Sequence, residues 1–131
     1  MIGLDTNFLV RVLTQDDPLQ SPQAANILEH RLSDQNPGFI SVVTVAETVW
    51  VLQSFYRFTD EQVAGALERL LGTTSLIVQN EREVFAATDL LRSGEASFSD
   101  ALIGALGSWA GCSTTLTFDR KAARLPQFTL V

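Results

Sequence analysis

Cysteine is almost missing from this 131-residue chain, with Cys112 standing alone. A lone thiol excludes an intramolecular disulfide and any Cys-rich zinc site, and it favours a reducing compartment. Beside Gly111 it is expected to be a small buried side chain. Histidine is equally scarce. His30 lies between Glu29 and Arg31 in a helical stretch, where a solvated surface role is expected, so a mechanism needing two histidines is excluded. Lysine is limited to Lys121, and 9 basic residues against 15 acidic ones leave a net charge of -6. That balance argues against a nonspecific coat on nucleic acid or an anionic membrane surface. It leaves open an enzyme that acts on nucleic acid, because four carboxylates gathered round metal ions would account for much of the deficit.

Other signatures are absent too. The opening Met1-Ile2-Gly3-Leu4-Asp5 lacks a basic leader and meets an acid at once, so a cytoplasmic protein is expected. The uncharged run from Ala101 to Phe118 is diluted by glycine, serine and threonine, and no membrane span is expected. There is no Gly-x-Ser-x-Gly elbow, no Walker loop with its lysine and no Gly-x-Gly-x-x-Gly after a strand.

What is present is the balance of one globular domain over residues 1–131, 46% hydrophobic and 18% charged. Such a length buries a core without disulfides or structural zinc. Short apolar runs at Ile2–Leu4, Phe39–Val43, Ser75–Val78, Thr114–Phe118 and Phe128–Val131 read as strands. Between them, Asn7–Thr14, Ser21–Ser33, Val45–Tyr56, Asp60–Leu71, Glu81–Arg92 and Ser99–Ala110 carry apolar residues at helical spacing. The alternation predicts an α/β fold with a short, mainly parallel sheet flanked by helices. Gly104, Gly107 and Gly111 fall on the last helix, where close packing is their expected use. Trp50, Phe55 and Tyr56 are expected in the core, with Trp50 also able to border a cleft beside Glu47.

In a parallel sheet all strands present their carboxyl ends to one edge, where ligands bind. Asp5 follows the first strand, Asp119 the fourth, Glu47 lies a helical turn beyond the second, and Asp100 opens the helix before the fourth. Each acid has an ordinary explanation. Thr44–Glu47 and Ser97–Asp100 fit capping boxes, and Asp5 and Asp119 fit N-caps. Capping explains any one of them but not three strands each delivering an acid to one edge. Gathered, such acids suit a hard divalent cation, Mg²⁺ or Mn²⁺. A cation so held polarises a phosphoryl oxygen and acidifies water, which is the chemistry of phosphodiester hydrolysis.

The opening Met1–Val10, the segment Ile40–Glu47, Phe98–Ile103 and Thr115–Ala123, in that order and spacing, together resemble a PIN domain of the VapC type. The resemblance implies a single PIN-like domain acting as a metal-dependent endoribonuclease, the toxin of a toxin–antitoxin pair, that leaves a 5′-phosphate on cleaved RNA. It implies that Asp5, Glu47, Asp100 and Asp119 form the metal and catalytic site, with Thr6, Asn7 and Thr117 supporting it. Thr6 or Asn7 could equally close an Asx-type turn at the start of the first helix. A homodimer is expected, with a groove for the tail of a cognate antitoxin that sets a basic side chain among the acids. The last strand reaches the end of the chain, and no added RNA-binding module is expected after it.

Arg11, Arg120, Lys121 and Arg124 are the basic residues placed to meet RNA phosphates, and a solvated face with surface pairs accounts for them equally well. Two rivals belong to other classes. A Mg-binding phosphoacceptor (receiver-like) signalling domain would want adjacent acids after the first strand and a lysine after a late one, whereas Asp5 is followed by Thr6-Asn7. A noncatalytic binding domain would keep the acids as caps alone.

Overall fold

The computed structural model describes residues 1–131, which fall into two compact units, Met1–Gln79 and Asn80–Val131. The first runs β1 (Ile2–Gly3), α1 (Thr6–Thr14), α2 (Gln20–His30), β2 (Gly38–Ile40), α3 (Val42–Ser54), α4 (Asp60–Leu71) and β3 (Leu76–Val78). The second runs α5 (Glu81–Ser93), α6 (Phe98–Trp109), β4 (Thr115–Thr117), a 3-10 turn (Ala122–Arg124) and β5 (Phe128–Leu130). The fold is α/β and every strand pairing is parallel, as the alternation of runs predicts. The strands are distributed over two sheets, β1-β2-β3 and β4-β5.

In the first unit β2 is the central strand, with Gly3 opposite Phe39 on one side and Ile40 opposite Val78 on the other. Its Ile40 is fully buried, as are Val45, Val49 and Leu52 of α3 and Val63, Leu67 and Leu70 of α4. The helix spacing of these residues puts them on one stripe of each helix, which is what lets short strands be covered. α4 starts on a capping box in which Thr59 and Gln62 satisfy each other's backbone N–H groups.

α3 begins at Val42, three residues before its expected start. The β-branched Val42 and Val43 favour a strand. The Ser41 side chain nevertheless accepts from the Thr44 N–H and ends the strand at Ile40. Local cap chemistry therefore overrides propensity, and the expected capping box from Thr44 to Glu47 is not the one that forms. α2 likewise stops at His30 instead of Ser33, and His30 is exposed as expected.

In the second unit α5 and α6 pack together through Val84, Ala87, Leu91, Phe98 and Leu102, all buried. Gly94 turns the chain between them at φ 76°, a left-handed conformation that suits glycine. Gly104 and Gly107 do serve close packing: a Cβ on Gly104 would sit 2.7 Å from the Phe128 ring, and one on Gly107 would sit 2.8 Å from Thr115 Oγ1. Gly111 lies past the end of α6, where its φ of 94° lets the chain turn and Cys112 N–H bond back to the Gly107 carbonyl. That turn corrects the expectation for Cys112, whose thiol is exposed. No helix is long and apolar enough to cross a membrane.

Candidate active site

Asp5 follows β1 directly and is the N-cap of α1, its Oδ1 accepting from the Phe8 N–H at 2.9 Å. A bend of this kind turns the chain out of the sheet while leaving the carboxylate on the surface. Asp5, and neither Thr6 nor Asn7, thus makes the turn at the start of α1. Glu47 stands in the second turn of α3, beyond the cap at Ser41, and its carboxylate is exposed. Its Oε2 accepts a hydrogen bond of 2.5 Å from Thr6 Oγ1. Because β1 and β2 are adjacent and parallel, the helices leaving their carboxyl ends start side by side. Asp5, Thr6, Asn7 and Glu47 accordingly line one cleft of about 350 Å³ with Trp50 and Val51.

The second pair of acids belongs to the C-terminal unit. Asp100 is half-buried in the first turn of α6, where its N–H, not its carboxylate, bonds to the capping Ser97 hydroxyl at 3.1 Å. Asp119 follows β4 by two residues. Its backbone N–H donates to Thr117 Oγ1 at 3.0 Å, and its Oδ1 accepts from the Lys121 N–H at 2.8 Å and more loosely from Ala122 N–H. Thr117 therefore sets the backbone of Asp119. Within each unit no three Asp, Glu, His or Cys side chains gather as a ready metal-binding group. The ligating groups of the N-terminal cleft are oxygens, the carboxylates of Asp5 and Glu47 with the Thr6 hydroxyl bonded to Glu47, and this chemistry fits a hard divalent cation.

Of the basic residues, Arg11 is engaged within its own unit. Its Nε donates to Gln20 Oε1 at 2.7 Å and its guanidinium reaches Tyr56 Oη at 3.3 Å, with Asp16 at 3.6 Å and Asp17 at 4.0 Å. Tyr56 completes the knot by donating to Asp16 Oδ2 at 2.8 Å. The hydrogen bonds from Thr14 and Tyr56 hold the Asp16 carboxyl below its ordinary value, and the Gln20 and Leu19 N–H groups do the same for Asp17. This network ties α1 to α2 and to the end of α3, and nothing in the local sequence announces it, since Tyr56 is 45 residues from Arg11. Arg120, Lys121 and Arg124 are exposed around the 3-10 turn.

The aromatic residues of α3 also depart from expectation. Trp50 is 59% exposed and Phe55 71%, the two rings meeting edge to face. The signal for Trp50 was its position three residues after Glu47, on the same helix face. Tyr56 is half-buried and held by its hydroxyl.

No curated protein matches the chain. Residues 2–127 match the PIN domain family, a span that covers both units and all four acids. On that match the chain belongs to the PIN domain family, whose members are in general metal-dependent nucleases.

Proposed function

We propose that this protein is a metal-dependent endoribonuclease of the VapC kind, the toxin of a toxin–antitoxin pair. The observation that carries it is the Asp5–Glu47 cleft, where two acids delivered by neighbouring parallel strands share space and Thr6 holds one of them. Capping accounts for Asp5 and Asp119. It does not account for Glu47, which lies beyond the cap of its helix and is held by a hydroxyl from another one.

Asp5 and Glu47 would hold Mg²⁺ or Mn²⁺, and the sequence resemblance adds Asp100 and Asp119 to the residues the reaction needs. The bound cation supplies charge neutralisation at the phosphate and acidifies water. The chain's own part is positional. The α1 cap orients Asp5, the Thr6 hydroxyl fixes the rotamer of Glu47, and Asn7 offers an amide at the mouth of the cleft. Arg120, Lys121 and Arg124 are exposed cations available to RNA phosphates, whereas Arg11 is committed to its internal network.

Incubating the protein with RNA in Mg²⁺ or Mn²⁺ tests the assignment. Cleavage that leaves 5′-phosphate ends and stops in excess chelator is expected. A 2′,3′-cyclic phosphate, or cleavage that ignores the chelator, would refute it. The homodimer and the antitoxin are tested by sedimentation and by loss of RNase activity on adding the protein encoded beside it.

A further inference from the structure

Trp50 has no part in the chemistry assigned above, and it is not placed as a core side chain. It lines the cleft of Asp5 and Glu47 and leaves 59% of its surface open. Burying an indole removes more apolar surface from water than burying most side chains. One left open beside two carboxylates therefore marks a contact surface. The ring is also held: its centroid is 5.6 Å from that of Phe55, with the planes at 80°. In such a T one ring's edge meets the other's face, so at most one face of the indole is covered. With 59% of the residue exposed, indole surface is left for stacking.

Charge narrows the occupant. Asp5 and Glu47 line the cleft and no cationic side chain does, so the cleft itself draws little affinity from neutralising phosphates. A strand entering that cleft must be held by contacts that do not depend on cationic side chains. Stacking of a base on an aromatic ring is such a contact, and only an unpaired base has a face to offer. Resting on the ribonuclease function proposed above, we infer that Trp50 is the stacking platform for one unpaired RNA base, next to the phosphate that enters the Asp5–Glu47 cleft. Val43 and Phe55 are also exposed on or beside α3, so a second copy of the chain is the rival occupant.

The chain has two tryptophans, so Trp109→Phe leaves Trp50 as the only indole emitter. A single-stranded RNA oligonucleotide is expected to quench that emission, while an abasic strand of equal length and an RNA duplex leave it unchanged. Trp50→Ala is expected to weaken single-strand binding at least about fivefold, and Trp50→Phe to recover most of the loss. Equal quenching by abasic and intact strands overturns the platform, as does unchanged binding by a folded Trp50→Ala protein. So does emission that shifts with protein concentration in the absence of RNA, which shows a second copy on the ring. If the wild type cleaves RNA and these outcomes fail, the platform alone falls. If it neither binds nor cleaves RNA, the ribonuclease assignment falls and the platform with it.

Discussion

Thr6 and Glu47 are 41 residues apart in sequence and joined by a 2.5 Å hydrogen bond from the threonine hydroxyl to the glutamate carboxylate. The hydroxyl comes from the first residue of α1 and the carboxylate from the second turn of α3, so the bond links the two helices that leave β1 and β2. It leaves Oε1 of Glu47 to the cleft and restricts a side chain that is otherwise free in solvent.

Thr6→Val keeps the shape of the residue and removes its donor. Cleavage is expected to fall about 10- to 100-fold, the usual cost of losing a group that orients a metal-holding side chain. Thr6→Ser should recover most of the rate. Kinetics on one RNA substrate, alongside thermal melts that stay near wild type, check it.

Asp5 combines a cap with its proposed role, and two substitutions separate them. Asparagine caps about as well as aspartate, so Asp5→Asn should leave the melting temperature nearly unchanged and abolish cleavage. Asp5→Ala should abolish cleavage and also cost about 1 kcal/mol of stability. Asp119→Asn, which keeps the acceptor for Lys121 N–H, should follow Asp5→Asn. Near-normal cleavage by either asparagine variant would show that these acids are only caps.

Cation binding should appear as stability. At about ten times its Kd, Mg²⁺ should add roughly 1.4 kcal/mol to the folded protein. Glu47→Gln should reduce that gain. Denaturant titrations with and without Mg²⁺ read both values, and a full gain in the variant would remove Glu47 from the ligands.

Gly104 is a packing position. Gly104→Ala places a methyl 2.7 Å from the Phe128 ring and 3.2 Å from Gln127 Cβ. A loss of about 1–3 kcal/mol is expected. Gly107→Ala meets only the Thr115 hydroxyl, which can rotate away, and should cost less. Melting curves of the two variants give the order.

Acid should weaken the α1–α2–α3 knot. Hydrogen bonds hold the Asp16 and Asp17 carboxyls below their ordinary values, so the folded state favours their charged forms. Their contribution is present above the ordinary aspartate value and is lost as pH falls through the lower folded one. Asp16→Asn should therefore flatten the acid limb of stability against pH. Tyr56→Phe should flatten it in part, since one of the two side-chain donors to Asp16 is removed. Melts across the acid range decide both.

Much of the fold is written in local pattern. Helical spacing located α4 at its observed bounds and α5 within one residue, and the parallel pairing followed from strands alternating with helices. The start of α3 was not legible by spacing because the β-branched Val42 and Val43 favour a strand, and the Ser41 cap overrides them. Asp5 as a cap was legible because it involves residues three apart.

By itself the sequence determined which acids follow which elements, because a cap or a strand end depends on neighbours within a turn of chain. It also determined that the cleft could offer only oxygen ligands, since one cysteine and one histidine leave little else. Tertiary structure alone decided that Thr6 restrains Glu47, that Arg11 is turned onto Gln20, Tyr56 and the Asp16–Asp17 pair, and that Trp50 is open to solvent. It likewise left Cys112 exposed. These depend on which helix faces meet across tens of residues, and periodicity states that a face is apolar without stating what covers it.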